Sequence, residues 1–159
     1  MAVYPVLTYP DPILRQVAAP VTVFDDALAA FVADMFETMD HKRGIGLAAP
    51  QVGRLDRIMV IGYKKRRFVL INPVIRSFGS KKTVLEEGCL SLPRVLVDVI
   101  RPNSLVVDAY DVSGEPIQLK EKGMVAKVIQ HELDHLNGVL IIDHGPIKPE
   151  EDRDAHYRP

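Results

Sequence analysis

Between Asp25 and Gly44 the chain sets Leu28, Phe31, Val32, Met35, Phe36 and Met39 at intervals of three and four, the spacing that lines one face of an α-helix. Asp25 and Asp26 open this stretch and Lys42 and Arg43 close it, each sign where the helix dipole favours it. An amphipathic helix ending at Gly44 is predicted. From Arg57 to Tyr110 the pattern changes to short runs rich in β-branched residues, "RIMVIGY", "RFVLINPVI", "KKTVLEEG" and "SLVVDAY", which read as strands. "DVSG" after the last run reads as a hairpin turn, so antiparallel pairing is expected. From Gly123 to Asn137 a second helix is predicted, with Gly138 placed for a left-handed cap. Prolines 5, 10, 12 and 20 keep the start extended and turn-rich, and the stretch from His144 to Pro159 is polar, charged and interrupted by Pro146 and Pro149. That tail is expected to be extended or frayed. Helix, strands and helix in this order predict an α+β domain over residues 1–143, followed by the tail at 144–159.

Composition narrows the partners. With 159 residues, 47% of them apolar, the chain can bury one core. A formal net charge of -1, with both signs dispersed, provides no global field for DNA or an anionic membrane. No apolar run approaches bilayer length and no secretory leader is evident, so a cytoplasmic protein is expected, with a processed organellar protein as the alternative. Cys89 is the single cysteine, which precludes an internal disulfide.

The second helix carries the chemistry. Val125, Val128, Ile129, Leu133 and Leu136 leave it no clean polar face, so it belongs in the core. Yet it contains "QHELDHLNG". His131 and His135 project from one face, and Glu132 is turned about 100° away. In the HExxH pattern two neutral imidazoles hold a divalent metal while the glutamate acts on a water. The competing reading is a pair of core histidines satisfied by hydrogen bonds.

Two ligands leave a shell incomplete. A metzincin would place a third histidine where Ile141 stands, so that family fails. His144 and His156 lie in the tail and are read as solvated. Cys89, in "EEGCLSLP", is the better third ligand, expected on irregular backbone. One thiolate and two imidazoles would leave a position open, as catalytic sites do. A cysteine nucleophile with His131 as base would leave the HExxH pattern unexplained. Upstream, "GIGLAAPQVG" imitates a dinucleotide fingerprint, but it follows a helix and Pro50 obstructs the helix that should begin there. Its polar side chain, Gln51, is either an ordinary loop amide or a donor to a developing oxyanion.

"GIGLAAPQVG", "EEGCLSLP" and "QHELDHLNG", in this order, resemble the three signature motifs of the peptide deformylases. The resemblance implies sheets packed around the HExxH helix and removal of the N-formyl group from the initiator methionine of new polypeptides. It implies metal binding by Cys89, His131 and His135, proton handling by Glu132, and oxyanion stabilisation by Gln51 and the Leu90 amide. Ile45 and Gly46 are expected beside the substrate backbone, with Glu87 also on the substrate side. Fe2+ is the implied native metal, although Zn2+, Ni2+ or Co2+ can occupy such a site in purified protein. The implied partners are N-formyl-methionyl nascent chains and, transiently, the ribosome. The basic tip "YKKRRF", with Lys64, Lys65, Arg66 and Arg67, reads either as a solvated hairpin tip or as a patch for ribosomal RNA. Members of the family often carry arginine where this chain has Leu96; Arg94 is nearby. A metallopeptidase and a non-catalytic metal-binding domain are the alternatives.

Helical geometry adds Met124, Lys127 and Val128 around whatever enters beside the metal. Lys127 is expected either to point wholly into water or to wall the methionine pocket with its stem while its charged end reaches solvent at the rim, the second favouring an acidic residue after formyl-methionine.

Overall fold

A computed structural model describes residues 2–152. Two helices, α1 (Asp26–His41) and α2 (Gly123–Leu136), accompany seven strands: β1 (Gly46–Ala48), β2 (Ile58–Tyr63), β3 (Arg66–Phe78), β4 (Lys82–Cys89), β5 (Leu92–Pro102), β6 (Ser104–Tyr110) and β7 (Pro116–Lys122). Five form one antiparallel sheet in the order β1-β2-β3-β6-β7, and β4 and β5 form a separate antiparallel ribbon. The class is α+β, as expected.

Strand β2 explains how the layers assemble. Ile58, Met59, Val60 and Ile61 are all fully buried, an unbroken apolar run that requires cover on both sheet faces. Ile58 and Val60 join Leu28, Phe31, Val32, Met35 and Met39 of α1. Met59 and Ile61 join Val125, Ala126, Val128 and Ile129 of α2. Helix α2 is thus central, between the five-stranded sheet and the β4–β5 ribbon. The latter has its own apolar cluster of Leu14, Leu92, Val97, Val99, Leu140 and Ile141.

The helix ends differ from each other in mechanism. The Asp25 carboxylate accepts from the Leu28 N–H at 2.9 Å, satisfying an amide that the first turn leaves free. At the far end the left-handed residue is Arg43, with φ 57°, so α1 stops before the predicted Gly44. Gly44 lies close to Leu90: a Cβ there would stand 2.9 Å from Leu90 Cδ1, so that side chain would have to shift. Helix α2 ends as expected, with Asn137 as cap and Gly138 at φ 74°. Here conformation and space coincide, because a Gly138 Cβ would meet the Arg15 carbonyl oxygen at 2.6 Å.

Cys89 is the last residue of β4, beyond a register shift that follows Glu87, so the cysteine ends a bulged strand instead of lying outside one. Part of the tail is anchored instead of frayed. The Lys148 N–H donates to the Leu96 carbonyl at 2.8 Å, and Lys148 Nζ pairs with Glu86 and Asp98. His156 lies outside the described residues. No helix among them is long and apolar enough to cross a membrane.

Candidate active site and metal centre

Three ligand-capable side chains converge where the end of β4 meets α2. The ligand-capable atoms of Cys89, His131 and His135 lie within 4.8 Å of one another, and Cys89 Sγ is 3.2 Å from His135 Nε2. His131 Nδ1 is held 2.9 Å from Glu87 Oε1, which leaves its Nε2 for the cluster. A carboxylate behind a ligating imidazole fixes its tautomer and raises its basicity. Burial holds the His135 imidazole well below its ordinary pKa, the neutral form that a metal needs. Burial also disfavours charge on His131, but its hydrogen bonds to Cys89 and Glu87 outweigh that and raise it. One soft sulfur, two imidazole nitrogens and a carboxylate behind one of them suit a single divalent transition metal.

Glu87 is therefore a support for His131, although it also lines the cavity on the predicted substrate side. Burial opposes its charge, yet hydrogen bonds from His131 and Arg101 prevail and hold the carboxyl down at about 2. Arg101 reaches on to Asp134 Oδ2 at 3.0 Å, and Asp134 meets His144 Nε2 at 2.8 Å. His144 is thus tied into this network instead of being merely solvated. Arg101 and Asp134 escaped the sequence reading because nothing local marks two charges as partners across 33 residues.

Glu132 is 2% exposed. Burial pushes its carboxyl up to about 7, against the pull of His131. Its neighbour is β1: a Cβ on Gly46 would lie 2.9 Å from Glu132 Oε2 and 2.8 Å from Val128 Cγ1. The bare glycine lets the strand pass close to the helix.

Gln51, in the turn Ala49–Val52, is also buried. Its Oε1 accepts from the Ala48 N–H at 2.9 Å, while Nε2 donates to Ser91 Oγ at 3.1 Å and lies 3.9 Å from Cys89 Sγ. The amide is held at both ends with its NH2 turned towards the cysteine. Two N-terminal amides fasten the supporting loops, Leu7 N–H to the Gln51 carbonyl and Tyr9 N–H to that of Ser91. Ser91 was legible as part of "EEGCLSLP" but not as the partner of Gln51.

A cavity of about 930 Å³ opens beside these groups, lined by Ile45, Gly46, Gln51, Leu90, His131 and Glu132 and, on the other side, by Leu85, Met124, Lys127 and Val128. Lys127 lines it, and its charged end is not at the rim. The residue is 5% exposed, and Nζ donates to the Thr83 carbonyl at 2.6 Å. Burial lowers its pKa. The exposed cations on the cavity wall are Lys42, Arg43 and Arg94, while Leu96 is fully buried.

A buried HExxH helix, a cysteine from an adjoining ribbon and an open cavity beside their shared metal site define a metallohydrolase. The family model for polypeptide deformylase matches residues 3–152. The chain is 46% identical over 149 residues to the peptide deformylase of Brucella suis, covering 91% of this chain and 85% of that protein. It is 47% identical over 147 residues to that of Cellvibrio japonicus, covering 91% and 87%. The crystal structure of the peptide deformylase of Thermotoga maritima superimposes with a TM-score of 0.89 at 42% identity, covering 94% of this chain and 100% of that one. The chain belongs to the polypeptide deformylase family. It removes the N-formyl group from formyl-methionine in a metal-dependent reaction.

Proposed function

We propose that Cys89, His131 and His135 hold one Fe2+, and that Glu132, Gln51 and the Leu90 amide carry out the hydrolysis beside it. The observation that carries this reading is the convergence of the three ligand atoms with buried Glu132 and the oriented Gln51 amide on one cavity. Bound there, the metal would supply Lewis acidity for the formyl carbonyl and for the attacking water. Glu132 takes a proton from the attacking water and returns it to the departing amine, which a buried carboxyl near neutrality suits in both directions. The Gln51 NH2 and the Leu90 N–H donate to the oxygen on which negative charge develops. The substrate backbone runs along Ile45 and Gly46 as an added strand on β1. Its first side chain then enters the part of the cavity formed by Leu85, Met124, Lys127 and Val128. Formate and a free amino terminus result.

Nascent formylated chains meet such an enzyme near the ribosome, in the cytoplasm. The basic hairpin turn is the surface we assign to that contact, through Lys64 and Lys65. Arg66 and Arg67 are engaged by Glu121 and Asp40. Replacing Lys64 and Lys65 with glutamine should weaken ribosome co-sedimentation at low salt, while unchanged sedimentation removes the turn from consideration.

The central experiment supplies the protein anaerobically with Fe2+ and a formyl-methionyl peptide. Formate should appear beside an otherwise intact peptide. Cleaved peptide bonds without formate would identify a peptidase, and no formate under these conditions would defeat the assignment.

A further inference from the structure

Lys127 is a buried cation to which the chemistry above gives no task. It precedes His131 by four residues and so shares the face of α2 that bears the metal ligand. With Met124 and Val128 it lines the cavity, and it is only 5% exposed. An ammonium has three N–H donors. Among the described residues the Thr83 carbonyl takes one, at 2.6 Å. Glu87 acts on Lys127 electrostatically, but its oxygens receive Arg101 and His131. Donors of a largely desolvated cation therefore remain available to an occupant of the cavity, where an unmet polar group is costly.

The occupant follows from covalent geometry. In a formylated peptide the first side chain leaves the backbone only a few bonds from the formyl carbon. With that carbon beside Cys89, His131 and His135, the side chain extends along the Leu85, Met124, Lys127 and Val128 wall. This step rests on the substrate placement proposed above. A thioether sulfur is a weak acceptor for Lys127, and a hydrocarbon chain offers none. A sulfoxide oxygen is a good acceptor.

We propose that Lys127 makes the first-side-chain pocket a donor site, so that this enzyme deformylates chains beginning with methionine sulfoxide as well as methionine. The sulfoxide oxygen accepts from Lys127 Nζ and is unchanged by the reaction. Only the formyl C–N bond breaks: water delivers its hydroxyl to carbon and its proton to the amine. An aliphatic pocket of the same shape would strand that oxygen. The donor thus selects by chemistry at the end of the chain, where length alone would not discriminate.

The test compares three formyl tripeptides that differ only in the first residue: methionine, norleucine or methionine sulfoxide. In Lys127→Met the kcat/KM ratio of sulfoxide to norleucine should fall on the order of tenfold or more relative to the parent. That substitution removes the contact of Lys127 Nζ with the Thr83 carbonyl, so Lys127→Gln, which keeps a neutral donor, supplies a second variant with an intermediate ratio expected. Kd ratios for the matching deformylated product peptides need no turnover and should move in parallel. A ratio unchanged across the three proteins overturns the proposal. So does an equal loss for all three peptides, which would assign Lys127 to bracing α2 against β4. Unchanged product binding ratios overturn it even if the parent releases no formate, an outcome that would strike the catalytic reading separately.

Discussion

Arg101 meets Glu87 through two parallel contacts, Nε to Oε2 at 2.7 Å and Nη2 to Oε1 at 3.1 Å, with both side chains 5% exposed. The same carboxylate receives His131 and the same guanidinium receives Asp134. One arginine on β5 thereby joins the ribbon that bears Cys89 to the helix that bears both histidines. Removing it strands a buried carboxylate, a change that costs about 3–5 kcal/mol in comparable pairs. Arg101→Met should lower stability by that order and weaken metal binding roughly 10- to 100-fold, read by denaturant melts and metal titration. Adding Glu87→Gln removes the stranded charge and should recover part of the stability. A double variant as unstable as the single one would show that the pair is not the source of the loss.

Glu87 also gives the fold an acid limit. Its folded-state pKa is depressed from 4.5 to about 2, so the unfolded chain binds the proton more readily. The sign follows from linkage: the stabilisation is present above pH 4.5 and is lost as pH falls through the window down to about 2. Urea melts across that window should show a falling stability in the parent and a flatter profile in Glu87→Gln. Parallel profiles would remove Glu87 as the titrating group.

Cys89 and Glu132 should fail in different ways. A ligand holds metal and a base moves protons, so Cys89→Ala should lose metal, whereas Glu132→Gln should retain it and lose rate by roughly 10²- to 10⁴-fold. Metal analysis alongside formate release separates the two. A fully metallated Cys89→Ala protein would exclude the cysteine as ligand. Near-parental turnover in metallated Glu132→Gln would exclude the carboxylate as base.

Local patterns and long-range partners were not equally legible in the sequence. Helix α2 was readable because its apolar periodicity and its HExxH spacing both belong to one short segment. Strands β5 and β7 were not assigned. "LPRVLVDVIRP" has prolines at its second and last positions, which usually punctuate strands, and "PIQLKEK" places polar residues at every second position with only Ile117 and Leu119 turned to the core cluster. The inward course of Lys127 was hidden for a different reason: its acceptor is the backbone carbonyl of Thr83, 44 residues away, and a carbonyl has no sequence signature. His144 likewise read as solvated until Asp134 came to meet it.

Gly46 tests how closely β1 and α2 must approach. Its φ is not among the positive ones, so alanine is conformationally acceptable and any penalty is steric. The added Cβ would stand 2.8 Å from Val128 Cγ1, 2.9 Å from Glu132 Oε2 and 3.0 Å from Glu132 Cγ, all well inside the ordinary carbon contact distance of about 3.5–4.0 Å. Either the strand withdraws or the side chains of Val128 and Glu132 turn away. A withdrawn strand disturbs the β1–β2 register and the burial of Leu47 and Ala48, which would cost about 1–3 kcal/mol as overpacking does elsewhere. A turned carboxylate leaves stability nearly intact and misplaces the proposed base, for which roughly 10²-fold in kcat is a reasonable scale. Because a flexible side chain yields more readily than a paired strand, Gly46→Ala should lose mainly kcat, with metal content and melting temperature close to the parent. Adding Val128→Ala opens space on the other side of the new methyl and should restore part of the rate. A double variant that regains stability but no activity would show that the strand had moved, and that the close passage of Gly46 serves packing instead of the Glu132 geometry.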